Sequence, residues 1–366
     1  MKSHKIAIVT WIYFKNFGTF LQAYALQRVI RELGYDCRVI DDADFYTGNF
    51  YFRCKRFIKN ILYRKLKSNR SYRKFKKKNI NVFSNCRNID YLNKHFDTFI
   101  AGSDQIWSPL LPKIRPYYYL DFTTQTKKRI AYAPSMVYNA VNDNYKTLVF
   151  PLMQRFNNLS LREQPAATYL SEQLNRKVSA VLDPTLLLDA DKWSSITTPV
   201  KEKDFILCYF LTPHKPFVKF VTEYAKSVGK KLLVFDKSTF EILPSEYDFG
   251  DKLLKAGPVE FISYVKAADF IFTDSFHGTI FSIIFHKNFL TFQRFSNDSP
   301  QNQNGRLLNL FDILQISGRF ININHLSQGL SLMDTLPPLD YEKIYTLLNQ
   351  ERNKSISYLK ESLSSV

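Results

Sequence analysis

The residue best suited to chemistry in this sequence is a histidine, His277, within the segment Asp274–Thr279. An apolar stretch, residues 269–273, precedes the segment, so the pattern predicts a strand that ends in a turn and opens a helix. Histidine is the side chain whose ordinary pKa lies closest to neutral pH, and at such a turn it is suited to proton transfer. The alternative is structural: Asp274 or Ser275 caps the helix, and His277 fills its first turn.

Two arginines are candidates for binding an anion. Arg162 follows a predicted strand, residues 158–161, and Arg306 follows the polar loop 301–305. A planar guanidinium donates paired hydrogen bonds to a carboxylate or phosphate, whereas lysine offers a point charge. Surface arginines that cap loops are common, however, so the residues alone leave both interpretations open.

Polar residues also follow two predicted strands near the N-terminus. After residues 5–11 come Asn16, Gly18 and Thr19, and after residues 98–102 come Gly102, Ser103, Asp104 and Gln105. A glycine permits positive φ, and a helix that starts there offers free N–H groups to an anion or a sugar. For Asn16, Gly18 and Thr19 the alternative is an ordinary turn between a strand and a helix. Neither GxGxxG nor a Walker A motif is present, so nucleotide binding has no local support.

The second of these segments has its own alternatives. Asp104 is a candidate base for a sugar hydroxyl or a hydrogen-bonding partner for one, while Ser103 or Asp104 is equally suited to cap a helix. Trp107 either stacks on a sugar face or packs in the core.

The spacing of apolar residues predicts alternating strands and helices in both halves of the chain. Strand 5–11, a helix ending at Gly34 and strand 36–41 form a βαβ unit. Further elements are predicted before the turn at Asp183–Thr185, namely strands 98–102, 129–133, 158–161 and 178–182 and helix 165–174. After that turn we predict strands 204–211, 231–235, 269–273 and 289–292, and helices 217–228, 258–267 and one from His277.

We therefore predict an α/β fold of two Rossmann-like domains that face a cleft. The N-terminal domain is predicted at residues 1–185, the C-terminal domain at 186–338, and a helical C-terminal segment at 339–366. Asp183 is expected to bond the backbone of its own turn. Ligands of open parallel sheets bind at the carboxyl ends of the strands, so the polar segments above are expected to line the cleft.

The net charge of +18 is concentrated in residues 53–78, which hold 13 lysines and arginines and no acidic residue. Apolar residues recur there at three- and four-residue spacing, at Phe57, Ile58, Ile61, Leu62 and Leu66. This predicts an amphipathic helix with a cationic face, suited to an anionic membrane surface. The alternative is a solvated helix whose apolar stripe packs on the N-terminal domain. Nucleic acid is not expected, because the aromatic residues here lack the sheet of a stacking platform.

Several classes of protein are not expected. The four cysteines form no CxxC pair or His/Cys cluster, which indicates a reducing cytoplasm instead of a disulfide framework or zinc site. No clustered Asp/His set suggests a metal, and no cofactor is expected. No apolar run reaches 18 residues, and the apolar start lacks a cleavage site, so neither a membrane span nor a signal peptide is predicted.

Six segments resemble the polysaccharide pyruvyl transferase family, and they occur in the order of that family. They are IVTWxxxxNFGTxLQAYALQ from residue 8, AGSDQIW at 101–107, SLREQ at 160–164, VLDPTLLL at 181–188, TDSFHGTIFSIIF at 273–285 and NGRLLNLFDIL at 304–314. Together they span nearly the whole chain, whereas the basic segment 53–78 is not part of the resemblance.

The resemblance implies a GT-B-like fold that transfers a pyruvyl group from phosphoenolpyruvate to a hexose, forming a ketal and releasing phosphate. In the family a functional histidine aligns with His277, and basic residues stand at the positions of Arg162 and Arg306. Together with the chemistry of the residues, this predicts that His277 protonates the donor and that other residues bind it, namely Arg162, Arg306, Ser275, Gly278 and Thr279. The acceptor would contact Asn16, Gly18, Thr19, Gly102, Ser103, Asp104 and Gln105.

The expected setting is capsule or exopolysaccharide assembly, with a lipid-linked acceptor, in the cytoplasm or at the inner face of its membrane. A nucleotide-sugar glycosyltransferase of the same fold stays open as the alternative, because a fold does not fix a function.

Overall fold

The computed structural model describes residues 4–12, 16–41, 67–84, 89–137, 141–235 and 249–364. They form two compact units. The first takes its residues from 1–65, 73–188 and 349–366, and the second from 66–72 and 189–348. Where the sequence suggests a separate C-terminal segment, the structure has one helix, Tyr341–Ser364, whose residues are divided between the units at 349.

The first unit is built on a parallel five-stranded sheet in the order β3-β2-β1-β4-β5. Its strands are β1 (Lys5–Val9), β2 (Asp36–Ile40), β3 (Val82–Phe83), β4 (Thr98–Ala101) and β5 (Lys128–Ala131). Residues Ile6 to Val9 are fully buried, as expected for a parallel strand covered on both faces. The order reverses between β1 and β4, so the loops after these two strands lie side by side.

Helices of the first unit connect these strands. They are α1 (Phe17–Glu32), α2 (Lys67–Asn79, whose first residues belong to the second unit), α3 (Ile89–His95), α4 (Asp143–Gln154) and α5 (Gln164–Leu174). The sequence did not predict α4, which contains Pro151. A proline inside a helix removes a hydrogen bond, but the helix still buries Tyr145, Val149 and Met153.

The predicted strands 158–161 and 178–182 are shorter than expected. Only β6 (Ser160–Leu161) and β7 (Ser179–Ala180) form, and they pair with each other in a small separate sheet. The side chain of Ser160 explains the break from β5: its Oγ donates to Ala131 O at 2.8 Å and accepts from Ala133 N at 3.2 Å. The hydroxyl of Ser160 thus takes the hydrogen bonds that a backbone group of a neighbouring strand would otherwise make with β5.

The second unit has a parallel six-stranded sheet in the order β10-β9-β8-β11-β12-β13. Its strands are β8 (Phe205–Tyr209), β9 (Lys231–Phe235), β10 (Lys252–Leu254), β11 (Phe270–Thr273), β12 (Asn288–Phe292) and β13 (Phe320–Ile321). The helices are α6 (Ala190–Ser194), α7 (Lys215–Ser227), α8 (Pro258–Ala267), α9 (Phe276–Ile284), α10 (Gly305–Leu314) and α11 (Tyr341–Ser364), which ends in the first unit. Here the strand order reverses between β8 and β11.

The basic segment is described only from residue 67. The apolar residues that suggest an amphipathic helix, at positions 57–66, lie outside the described residues. In α2, Phe75 is buried and its ring lies edge-on to Phe20 and Tyr24, 6.4 and 5.8 Å between centroids. One face of this helix therefore packs on the first unit. Among the described residues, no helix is both long and apolar enough to cross a lipid bilayer.

Candidate functional site

The turn between β11 and α9 carries four of the predicted donor residues, Ser275, His277, Gly278 and Thr279. Ser275 is the helix cap, because its Oγ accepts from Gly278 N at 3.3 Å. Gly278 lies so close to the end of β11 that an added Cβ would be 2.3 Å from Thr273 Oγ1. Only glycine fits there, and the first turn of α9 is thereby held against the strand.

His277 lies in that first turn, with 7% of its surface exposed. The neighbouring ring of Phe276 stands edge-on to it, with 5.4 Å between centroids. Backbone N–H groups at a helix start carry partial positive charge and favour an anion. The hydroxyl of Thr279 is used within the fold, since it contacts Ser275 O at 3.1 Å and Thr291 Oγ1 at 2.7 Å.

Asp274 does not cap the helix. Its carboxylate accepts from the backbone N–H groups of Leu211 at 2.5 Å and Thr212 at 2.8 Å, which follow β8. The aspartate therefore fixes the loop after β8 to the turn after β11, at the point where the strand order reverses.

Arg306 lies in the first turn of α10 and reaches the same turn. Its Nη2 donates to Gln303 Oε1 at 2.9 Å, and its guanidinium carbon is 5.5 Å from the centroid of the Phe276 ring. Because Phe276 directly precedes His277, this contact brings the guanidinium beside the turn that carries the histidine.

In the first unit, the loops after β1 and β4 meet through Asp104. Thr19 Oγ1 donates to Asp104 Oδ2 at 2.7 Å, and Gln105 N donates to Asp104 Oδ1 at 2.9 Å. Asp104 has φ 73°, a left-handed conformation that costs a non-glycine residue free energy and often marks a functional turn. Asn16 caps α1, since its Oδ1 accepts from Gly18 N at 2.9 Å.

The residues before Asp104 are locked in place. Ser103 Oγ donates to Ala133 O at 2.6 Å, and Ser103 N donates to Gln22 Oε1 at 3.1 Å. Gly102 has φ 129°, and an added Cβ would be 2.0 Å from Tyr132 O. Trp107 is buried and stacks on Tyr119 with 5.1 Å between centroids, so of its two predicted roles it has the packing one.

Arg162 is enclosed by carboxylates of the first unit. Its Nη1 is 2.7 Å from Asp183 Oδ2 and its Nε is 3.4 Å from Glu163 Oε1, and all three residues are at most 5% exposed. Burial by itself lowers the pKa of Arg162, but the charges of Asp183, Glu163 and Asp104 outweigh burial and raise it. Asp183 also accepts from Thr185 N at 2.9 Å, which confirms its predicted bond to its own turn.

The predicted site residues thus form one group in each unit. His277, Ser275, Gly278, Thr279 and Arg306 gather at the start of α9, whereas Arg162 belongs with the first group, at the strand ends of the first unit. Sequence reasoning missed Ser135, whose Oγ donates to Glu163 Oε1 at 2.5 Å. It also missed Arg294, which lies two residues after the end of β12. Because ligands of parallel sheets bind after the strand ends, that position could have been recognised from the sequence.

Comparison with known proteins identifies the family. The sequence pattern of the polysaccharide pyruvyl transferase family matches residues 16–294, well over half of the chain. The chain belongs to the polysaccharide pyruvyl transferase family. The match covers the His277 turn and the loops that carry Asp104 and Arg162, but Arg306 and α10 follow it. This family membership makes the chain a pyruvyl transferase family enzyme. Among curated proteins, none is similar enough to count as a match.

Solved structures support the two-sheet architecture. The UDP-GlcNAc 2-epimerase of Neisseria meningitidis, bound to UDP-GlcNAc, aligns with a TM-score of 0.54 at 9% identity over 98% of this chain and 99% of its own. S. aureus MnaA, solved with UDP, gives 0.54 at 13% identity over 99% and 98%. The glycotransferase of kitacinnamycin gives 0.51 at 11% over 99% and 98%. At these identities the likeness shows the fold alone, which is GT-B-like.

Proposed function

We propose that this family member transfers the pyruvyl group of phosphoenolpyruvate to two hydroxyls of a hexose in a surface polysaccharide precursor. The observation that carries the proposal is the position of His277 in the capped first turn of α9, next to Phe276, whose ring Arg306 contacts. An acid, an anion-binding helix start and a guanidinium in one place match the needs of a donor that carries a carboxylate and a phosphate.

The reaction balances with protons alone. A proton adds to the methylene carbon of phosphoenolpyruvate, which becomes a methyl group, and the positive charge forms at C2. One sugar hydroxyl attacks C2, the C2–O bond to phosphate breaks, and the second hydroxyl closes the ketal. The two hydroxyls release two protons. One replaces the proton that the acid gave to carbon, and the other protonates the departing phosphate to hydrogen phosphate. In this scheme His277 gives the first proton, and general acid catalysis of this kind contributes about a hundredfold or more.

Other residues position the substrates. Arg306 is proposed to bind one anionic group of the donor. A donor contact of Arg162 would have to compete with the carboxylates of Asp183 and Glu163, which already contact its guanidinium. Ser275, Gly278 and Thr279 hold the helix start in place through their internal contacts. Asn16, Gly18, Thr19 and the segment 102–105 are proposed to face the acceptor, with Asp104 as the base for its hydroxyl.

The test separates this function from nucleotide-sugar chemistry. The protein is incubated with phosphoenolpyruvate and candidate lipid-linked oligosaccharides, and phosphate release is measured. In parallel, the melting temperature is recorded with phosphoenolpyruvate and with UDP-sugars, because a ligand stabilises the native state that binds it. Stabilisation by UDP-sugars alone, with no phosphate release from phosphoenolpyruvate, would favour the glycosyltransferase alternative.

The acceptor is proposed to be lipid-linked and reached at the inner face of the cytoplasmic membrane. The support is a stripe of exposed cations on α2, opposite the face that carries Phe75. These cations recur at helical spacing and have no ion pair within the described part of the chain: Arg70, Arg73, Lys74, Lys77 and Lys78. Each lysine or arginine near an anionic bilayer contributes about 1 kcal/mol, so a few suffice for reversible attachment.

Co-sedimentation with liposomes tests this attachment. The wild type is expected to bind vesicles that contain anionic lipid, to bind less at high salt, and to ignore neutral vesicles. A variant with glutamine at residues 73, 74, 77 and 78 should lose binding. A matched control places glutamine at four exposed lysines of the second unit, Lys201, Lys203, Lys226 and Lys266. If the two variants bind anionic vesicles equally well, the cations of α2 do not attach the protein to the membrane.

A further inference from the structure

Arg294 is held in place by three contacts at the carboxyl end of the second sheet. It lies two residues after Phe292, the last residue of β12. Its Nε donates to Thr212 Oγ1 at 2.9 Å, its carbonyl oxygen is 2.9 Å from His214 Nε2, and its guanidinium carbon is 4.7 Å from the centroid of the Phe295 ring. Both the backbone and the side chain of this half-buried arginine are therefore fixed.

The partner of Arg294 is joined to the turn that carries the histidine. The same Thr212 that accepts from Arg294 donates its backbone N–H to Asp274 Oδ2 at 2.8 Å. Asp274 lies three residues before His277, in the turn after β11. Thr212 thus links the Arg294 side chain to the turn that carries His277 through two hydrogen bonds. Phe276 links Arg306 to the same turn through a ring contact.

The charge of Arg294 is not neutralised within the described residues. No carboxylate there lies within salt-bridge distance of it, and both oxygens of the nearby Asp274 already accept from backbone N–H groups. Guanidinium has five N–H donors. The Nε donor is used by Thr212, and the Nη groups donate to no other described residue. A fixed cation with unused donors, close to a helix start, is suited to an anion.

We propose that Arg294 is a second anion-binding residue for the donor: it holds one of the two anionic groups of phosphoenolpyruvate, and Arg306 holds the other. Thr212 is a positioning residue that orients the Arg294 fork. This inference rests on the proposed function. It assigns both anionic groups to arginines of one unit, each in contact with a residue of the His277 turn or of the loop fixed to it.

The test compares four variants of the full-length protein: Arg294→Ala, Arg294→Lys, Thr212→Val and the control Lys226→Ala, which removes an exposed cation of the same unit. The KM and kcat for phosphoenolpyruvate are measured, together with direct binding of phosphoenolpyruvate and of inorganic phosphate by calorimetry. Losing a charge-assisted hydrogen bond weakens binding about ten- to hundredfold, so Arg294→Ala should raise KM by that factor with a smaller change in kcat.

The remaining variants separate binding from folding. Arg294→Lys should recover only part of the affinity, because a lysine cannot form the paired contact. Thr212→Val should raise KM by about three- to tenfold, less than Arg294→Ala, because it removes the acceptor that orients the guanidinium but leaves the charge that binds the anion. The control should match the wild type. If Arg294→Ala melts at a lower temperature than the wild type, its raised KM could come from poor folding, and the test then rests on Arg294→Lys and Thr212→Val. Wild-type KM in both of these would overturn the inference.

Failure of the inference differs from failure of the proposed function. If the wild type neither binds phosphoenolpyruvate nor releases phosphate from it, the proposed function fails, and the inference fails with it. If the wild type is active and the Arg294 and Thr212 variants keep its KM, only the inference fails.

Discussion

Arg162 and Arg306 were predicted to do the same work, yet their surroundings differ. Arg162 is 5% exposed and contacts the carboxylates of Asp183 and Glu163. Arg306 is half-buried, donates to Gln303 and lies over the ring of Phe276. Carboxylates compete with an anionic ligand for a guanidinium, whereas an amide and an aromatic ring only orient it. An arginine can therefore stabilise the fold or be available to a ligand, and the residues around its guanidinium decide which.

The largest effect is expected from Arg162→Ala. Removing the cation leaves the buried carboxylates of Asp183 and Glu163 without a positive charge beside them, and breaking a buried ion pair in this way costs about 3–5 kcal/mol. Urea denaturation of the wild type and the variant measures the loss of unfolding free energy. The matched variant Arg306→Ala should change stability by less than about 1 kcal/mol.

The opposite result would reverse the comparison. If Arg162→Ala keeps its stability but no longer binds phosphoenolpyruvate, then Arg162 contacts the donor directly and the carboxylates around it are secondary.

His277→Ala tests the proposed role of His277 as the acid that protonates the donor. We expect turnover to fall by about a hundredfold or more, the usual contribution of a general acid. Phosphate release is the measurement, and His277→Gln serves as a control that keeps a hydrogen-bonding side chain in the first turn of α9 but cannot deliver the proton. Near wild-type phosphate release by a variant with an unchanged melting temperature would remove His277 from the mechanism.

Arg306→Ala should act on the donor alone. The lost charge-assisted hydrogen bond is worth about 1.5–3 kcal/mol, or roughly ten- to hundredfold in affinity. Calorimetry with phosphoenolpyruvate gives the affinity, and the KM for the acceptor provides an internal control that should not move. An unchanged affinity would separate Arg306 from the donor site and leave its contact with Phe276 as packing.

The smallest effect is expected from Thr19→Val, which removes the hydroxyl that donates to Asp104 at 2.7 Å. A hydrogen bond to a carboxylate is worth about 1.5–3 kcal/mol, but this one only orients Asp104 and does not touch the acceptor. The acceptor KM should therefore rise by only about fivefold, while the KM for phosphoenolpyruvate stays the same. This is the reverse of the pattern for Arg306→Ala. A change in the donor KM instead would show that the loops after β1 and β4 do not act on the acceptor.

Much of this fold follows from local sequence signals. Strand 231–235 and helix 258–267 form at the predicted residues, and the cap at Ser275 was one of two foreseen. Periodicity and capping involve residues a few positions apart, so a single sequence carries them. The same signals placed His277 after a strand and at the start of a helix, where the structure has it.

The tertiary structure decided what those local signals could not. Arg162 meets Asp183, 21 positions along the chain, and Asp274 meets Leu211, 63 positions away. Whether a charged side chain is neutralised depends on which distant residues fold against it, and no local pattern records that. The sequence by itself determined the alternating α/β elements and the chemistry available at their ends. Only the packing of distant segments determined that Arg162 is enclosed by carboxylates while Arg306 lies beside the His277 turn.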